Sequence, residues 1–152
     1  MPKAAPRKLG TRRGGRRRLA LAVAAFNAEL TDEMLRRAEA RARELGFEPS
    51  PVVRVSGSYD LPFIVDRLLA RRDVAAAVAI GVIVTGETKH DELIGHAAAK
   101  SLLDVAIARG KPVGLAITGP GQTYAQATAR VDRAEHAVDA VARTLDALAE
   151  LA

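Results

Sequence analysis

Val74-Ala75-Ala76-Ala77-Val78-Ala79-Ile80-Gly81-Val82-Ile83-Val84 is an unbroken apolar run, and its reading decides the fold. A run this long, with no polar residue at alternate positions, reads as a strand buried on both faces, the mark of a central parallel strand. It breaks into a polar loop, Thr85-Gly86-Glu87-Thr88-Lys89-His90-Asp91, and Glu92-Leu93-Ile94 opens a helical pattern behind it. Titratable residues crowded at the C-terminal end of a buried strand are where open α/β sheets place their ligands.

The flanking sequence supplies partners for that strand. Arg18 to Phe26 reads as a first strand. Thr31 is placed to cap a helix whose first turn carries Asp32 and Glu33, favourable at the positive end of the dipole. Met34, Leu35, Ala38, Ala42 and Leu45 repeat at helical spacing and Gly46 ends the pattern. Pro51 to Val55 is a short second strand, Gly57-Ser58-Tyr59 a turn, and Asp60-Leu61-Pro62 opens a helix through Leu69. A third helix runs from His90 to Ala108 and breaks at Gly110; Pro112 to Ile117 is a fourth strand. Gly119-Pro120-Gly121 reads as a turn, and a kinked helix follows from Thr123 to Leu151. Right-handed crossovers turn βαβαβαβα into a parallel α/β/α sandwich of three layers. The four-stranded sheet is expected in the flavodoxin-like order 2-1-3-4.

At 152 residues one domain is expected, and with aromatics at 3% its core must be built from small aliphatic side chains. There is no cysteine, which excludes disulfides and thiolate metal sites and suits a reducing, cytoplasmic setting. The net charge of +5 is concentrated in a tail: residues 1–18 hold eight Lys/Arg and no acid. The remainder holds fifteen bases against eighteen acids, a net −3. Residues 1–17 therefore read as a basic flexible tail and 18–152 as the folded domain. Such a tail can bind nucleic acid by releasing counterions, but the acidic body offers no basic face to match. The arginines before Leu19–Phe26 imitate a signal peptide, yet the apolar run is eight residues and Glu29, Asp32 and Glu33 follow at once. No apolar stretch reaches the ~18–20 residues that span a bilayer.

In the expected fold the loops after the four strands meet at one edge. They deliver Phe26-Asn27, Gly57 to Asp60, Thr85 to His90, and Thr118 to Thr123. Phe26 can equally finish the core, and Asp60 can be an ordinary acid at a helix start. Gly86-Glu87-Thr88 ahead of a helix can present N–H groups to a phosphate. His90 is the residue best suited to proton transfer near neutral pH. His96 reads as a helix-surface or interface residue, about 240° around the helix from His90, too far for a shared metal. No serine elbow, HExxH or dinucleotide fingerprint is present.

Four pieces in order at strand ends resemble the lumazine synthase family of riboflavin biosynthesis, most closely its archaeal members. They are Phe26-Asn27; Gly57-Ser58-Tyr59-Asp60-Leu61-Pro62; Gly81 through His90; and Gly119-Pro120-Gly121-x-Thr123 with Gln126-Ala127-x-x-Arg130-Val131-Asp132. The resemblance covers residues 18–148. It implies condensation of 5-amino-6-ribitylaminouracil with 3,4-dihydroxy-2-butanone 4-phosphate, with no redox or metal cofactor. It implies His90 for proton transfer and Gly86, Glu87, Thr88 and Arg130 for phosphate. Phe26 would stack on the pyrimidine, Asn27 stands beside it, and Ser58, Tyr59, Asp60, Val82, Ile83 and Val84 would line the ring and ribityl pocket.

Three positions depart from the family pattern. Bacterial members carry glutamate where Asp60 stands. Many carry, from a neighbouring subunit, a phenylalanine where Leu115 stands. The family's lysine after the phosphate-binding arginine has His136 as its best alignment. The family forms pentamers with sites between subunits, and some members close into icosahedral shells. Ala134, Ala137, Val138, Val141 and Leu145 suit either an inter-subunit bundle or packing on the chain's own sheet. The rival functions are the paralogous archaeal riboflavin synthase, whose strand-3 loop lacks the wording kept here, and nucleic-acid binding through the tail.

Overall fold

The computed structural model describes residues 17–152. The elements are β1 (Arg18–Ala24), α1 (Ala28–Glu44), β2 (Glu48–Val55), a 3-10 turn (Ser58–Asp60), α2 (Leu61–Leu69), β3 (Val74–Val82), α3 (His90–Arg109), β4 (Val113–Thr118), α4 (Tyr124–Thr128) and α5 (Arg133–Leu151). All pairings are parallel and the sheet order is β2-β1-β3-β4. The three-layer α/β arrangement expected from the sequence is the one found. The basic tail lies outside the described residues but for Arg17, whose carbonyl accepts from the Glu48 N–H at 2.8 Å as the sheet begins.

The two faces of the central strands are unlike. Leu19, Leu21 and Val23 of β1 and Val78, Ile80 and Val82 of β3 pack with α1 and α5. Ala20, Ala22, Ala24, Ala77 and Ala79 face α2 and the middle of α3. Side chains alternate along a strand, so β1 from Leu19 to Ala24 and β3 from Ala77 to Val82 present large residues to one layer and small ones to the other. This is how the chain fills its interior with few aromatics; Phe47, fully buried among the larger residues, is the exception.

Four expectations need correction. β1 ends at Ala24, although Ala25 and Phe26 still donate to the Val55 and Ser56 carbonyls. Helix α1 begins a turn before Thr31, because Asn27 takes a left-handed conformation (φ 58, ψ 50) that reverses the chain at once. Thr31 is then wholly buried inside the helix instead of capping it. The final helix is two helices: Thr123 and Gln126 form a capping box for α4, and three-residue turns through 129–132 separate it from α5. Finally, β2 begins at Glu48, three residues before Pro51. Of the two readings open for Ala134, Ala137, Val138, Val141 and Leu145, packing in the chain's own core is the one found, so that face of α5 is not free for a bundle with another subunit.

Ion pairs fasten the outer layers. Arg37 bridges Glu33 and Glu135, and Arg41 bridges Glu44 and Asp139, tying α1 to α5. Arg109 grips Asp66 at 2.9 and 3.1 Å, tying α3 to α2 and holding the Asp66 carboxyl below its usual range. The Lys111 ammonium donates to the Leu69 and Arg71 carbonyls at the end of α2, where cations suit the dipole, while burial pushes its pKa down.

Phe47 fills the space that the small residues around it cannot. Phe47→Ala is expected to cost about 3–5 kcal/mol, a large part of the ~5–15 kcal/mol typical of a domain. Urea unfolding would read it as a lower midpoint with an unchanged slope.

Candidate active site

The C-terminal ends of β1 and β3, the 3-10 turn and the start of α3 enclose a cleft of about 980 Å³. Phe26, Asn27, Ser58, Tyr59, Asp60, Val82, Ile83, Val84, Gly86, Thr88 and His90 all line it, so residues far apart in sequence meet there as expected. Gly57, Thr85, Asp91, Leu93 and Ile94 line it as well. Leu93 and Ile94 fall three and four residues after His90 and so share its face of α3, a spacing already visible in the sequence.

Each wall has a local cause. Phe26 is 69% exposed and does not finish the core; its ring rests over Gly57, where a Cβ would come within 3.2 Å of Cδ2. The Asn27 amide donates to the Val82 carbonyl at 3.0 Å, locking the end of β1 to the end of β3. Gly81 lets the 3-10 turn lie directly on β3, since a Cβ there would collide with Ser58 Oγ. Within that turn the Gly57 N–H donates to Asp60 Oδ2 at 3.1 Å. Asp60 is therefore both the acid before α2 and a cleft-lining carboxylate held in one orientation.

The loop after β3 is fixed at both ends. The Ile83 N–H donates to the Thr118 carbonyl at 2.9 Å and the Thr85 N–H to the Gln122 carbonyl at 2.8 Å. Thr88 Oγ1 accepts from the His90 N–H at 3.3 Å, leaving the Thr88 hydroxyl proton to donate elsewhere. His90 opens α3, exposed, with its imidazole on the cleft. Asp91 accepts from the Gly121 N–H at 3.1 Å, so Gly119-Pro120-Gly121 acts as a turn that steadies the first turn of α3. Among the described residues no three His, Asp or Glu side chains converge as a metal site. No described helix is long and apolar enough to cross a membrane.

Four expected site residues lie apart from this cleft. Glu87 sits in the loop but does not line it. Leu115 (52% exposed) and His136 line a separate groove with Arg133, between edge strand β4 and α5. Arg130 lies in the turn between α4 and α5 and donates to Gln122 Oε1 at 3.0 Å. Gln122, wholly buried, was missed by sequence reading, for nothing marks one glutamine in a polar loop as an interior residue.

Comparison with known proteins points to one family. The family model described as 6,7-dimethyl-8-ribityllumazine synthase matches residues 16–151. A protein of that name from Staphylothermus marinus is 47% identical over 130 residues, covering 85% of this chain and 87% of the relative. Those from Pyrobaculum arsenaticum (42%, 83% and 85% covered) and Archaeoglobus fulgidus (41%, 88% and 93% covered) are similar over nearly the same span.

Asn27 offers a local check on how the cleft is built. Asn27→Ala loses the bond to Val82 and places an alanine in a left-handed conformation, whereas Asn27→Gly loses the bond alone. The alanine variant should be the less stable by about 1 kcal/mol, measured by denaturant unfolding of both. Equal stabilities would mean that the backbone relaxes out of the left-handed turn.

Proposed function

The chain belongs to the 6,7-dimethyl-8-ribityllumazine synthase family, and from that premise we propose how its cleft carries out the reaction. The protein is a transferase of riboflavin biosynthesis, a lumazine synthase, and it acts on small-molecule substrates. An amine of 5-amino-6-ribitylaminouracil condenses with the ketone of 3,4-dihydroxy-2-butanone 4-phosphate, losing water. Phosphate is then eliminated, and ring closure expels a second water to give 6,7-dimethyl-8-ribityllumazine. Nothing is oxidised or reduced overall.

The observation that carries the residue assignment is the convergence of Phe26, Asp60 and His90 on one cleft. Phe26 offers an exposed ring on which the pyrimidine stacks. Asp60, with one oxygen held by Gly57, accepts from a ring N–H or ribityl hydroxyl. Ser58, Tyr59, Val82, Ile83 and Val84 complete the ring and ribityl wall. The uracil edge meets backbone groups there other than the Ile83 N–H, which the sheet already engages. Gly86, Thr88 and the N-terminus of α3 receive the phosphate, which suits the positive end of that helix. His90, the first residue of that helix, moves protons during imine formation and elimination. Holding two substrates in register supplies a further share of the rate.

Leu115, Arg130 and His136 do not line the cleft, and that favours a site completed by a second copy of the chain. In this reading each subunit lends β4, Arg130 and His136 to the cleft of the next. Closure into a ring of five, and packing of such rings into a shell, are the assemblies that fit. The cysteine-free chain and its phosphorylated substrate suit the cytoplasm.

Mixed with both substrates, the protein should raise the lumazine absorbance well above the uncatalysed rate. His90→Ala is expected to lower kcat about 10²-fold, and near-full turnover would remove His90 from proton transfer. His90→Ala and Arg130→Ala, each impaired, test the shared site when co-assembled. About a quarter of the sites in a random ring would then hold both intact halves. Recovered activity supports a site between subunits, and none places both residues in one subunit's site.

A further inference from the structure

Gln122 sits wholly buried at the end of the sheet, where β3, β4 and the loop into α4 meet. Its Nε2 donates to the Ile83 carbonyl at 3.2 Å and to Thr118 Oγ1 at 3.0 Å, and its Oε1 accepts from Arg130 at 3.0 Å. Its own carbonyl accepts from the Thr85 N–H at 2.8 Å. The amide orientation follows from its neighbours. The Ile83 oxygen can only accept, so nitrogen faces it; the guanidinium can only donate, so oxygen faces Arg130. A buried amide with both ends engaged is a rigid part, because turning it would leave a donor and an acceptor unpaired.

From this geometry we infer that Gln122 is a positioning residue for the phosphorylated substrate. It fixes the Arg130 guanidinium and the start of the phosphate-binding loop at Thr85 as one unit. The inference rests on the phosphate-binding role proposed above for Arg130. Glutamine suits the task because its oxygen is a neutral acceptor. A carboxylate at the same place would orient Arg130 but cancel its charge, and a hydrocarbon would leave the charge but release the side chain. Where Arg130 serves the adjacent subunit, the same amide joins one cleft's loop to the arm lent to the next.

The test uses the full chain in its native assembly and measures KM for each substrate separately. Gln122→Leu should raise KM for the butanone phosphate ~10-fold, the loss of one charge-assisted contact, and move KM for the pyrimidine less than about twofold. In an Arg130→Ala background the same change should add nothing to the phosphate-substrate KM. Gln122→Glu keeps the test open should the leucine variant fail to fold. At low pH its neutral carboxyl can donate to Ile83 and accept from Arg130, restoring the wild-type KM measured at that pH. As the carboxyl ionises the phosphate-substrate KM should climb above wild type.

Equal rises in both KM values, additivity with Arg130→Ala, or a glutamate variant that tracks wild type at every pH would each overturn the positioning role. Arg130→Ala with an unchanged phosphate-substrate KM would overturn the role given to Arg130 instead. The two failures are therefore distinguishable.

Discussion

Strand β3 has water on almost none of its surface, and the rest of the molecule answers to that constraint. A strand buried on both faces needs partner strands along its edges and a helical layer on each side. Parallel pairing then requires each connection to cross over, and the right-handed sense of the crossovers leaves few topologies. With the strands aligned, every strand-to-helix loop emerges at the same edge. The cleft is therefore a consequence of how β3 is buried, before any functional residue is considered. Alanine on one face of β1 and β3 admits α2 and α3, and larger aliphatic residues on the other meet α1 and α5.

Hydrogen bonds with at least one neutral partner shape the cleft. Asn27 joins the ends of β1 and β3, Gly57 fixes Asp60, Thr88 holds the start of α3, and Gln122 ties β3, β4 and Arg130 together. The ion pairs lie elsewhere, several of them between outer helices. This division has a physical logic: a neutral partner can fix a loop, a cation or a carboxylate without cancelling charge that a substrate will meet. A site that has to hold two molecules in register needs rigidity.

The cleft is also open. Phe26, Tyr59 and Leu93 expose apolar surface around it, and Leu115 does so on the edge strand. The face of α5 that carries Ala134, Ala137, Val138, Val141 and Leu145 is already used within the subunit. A family that acts as an oligomer fits a subunit built this way.

The order of elements, the double burial of β3 and the gathering of Phe26, Asp60 and His90 at one edge were legible in the sequence. Apolar periodicity and strand-end polarity depend only on neighbours along the chain. The start of α1 was not legible, because it depends on a left-handed asparagine held by a bond to Val82, fifty-five residues away. Nor was it legible that the expected kink is a full break before α5, for residues 129–132 contain neither proline nor glycine, and the break brings Arg130 back to Gln122. The fate of α5's apolar stripe, equally suited to a bundle or to its own sheet, was settled by packing alone. The sequence by itself determined which residues must be buried and which loops must meet. Only the tertiary structure decided how polar groups pair across the sheet edge, because those bonds join residues whose proximity exists only after the strands align.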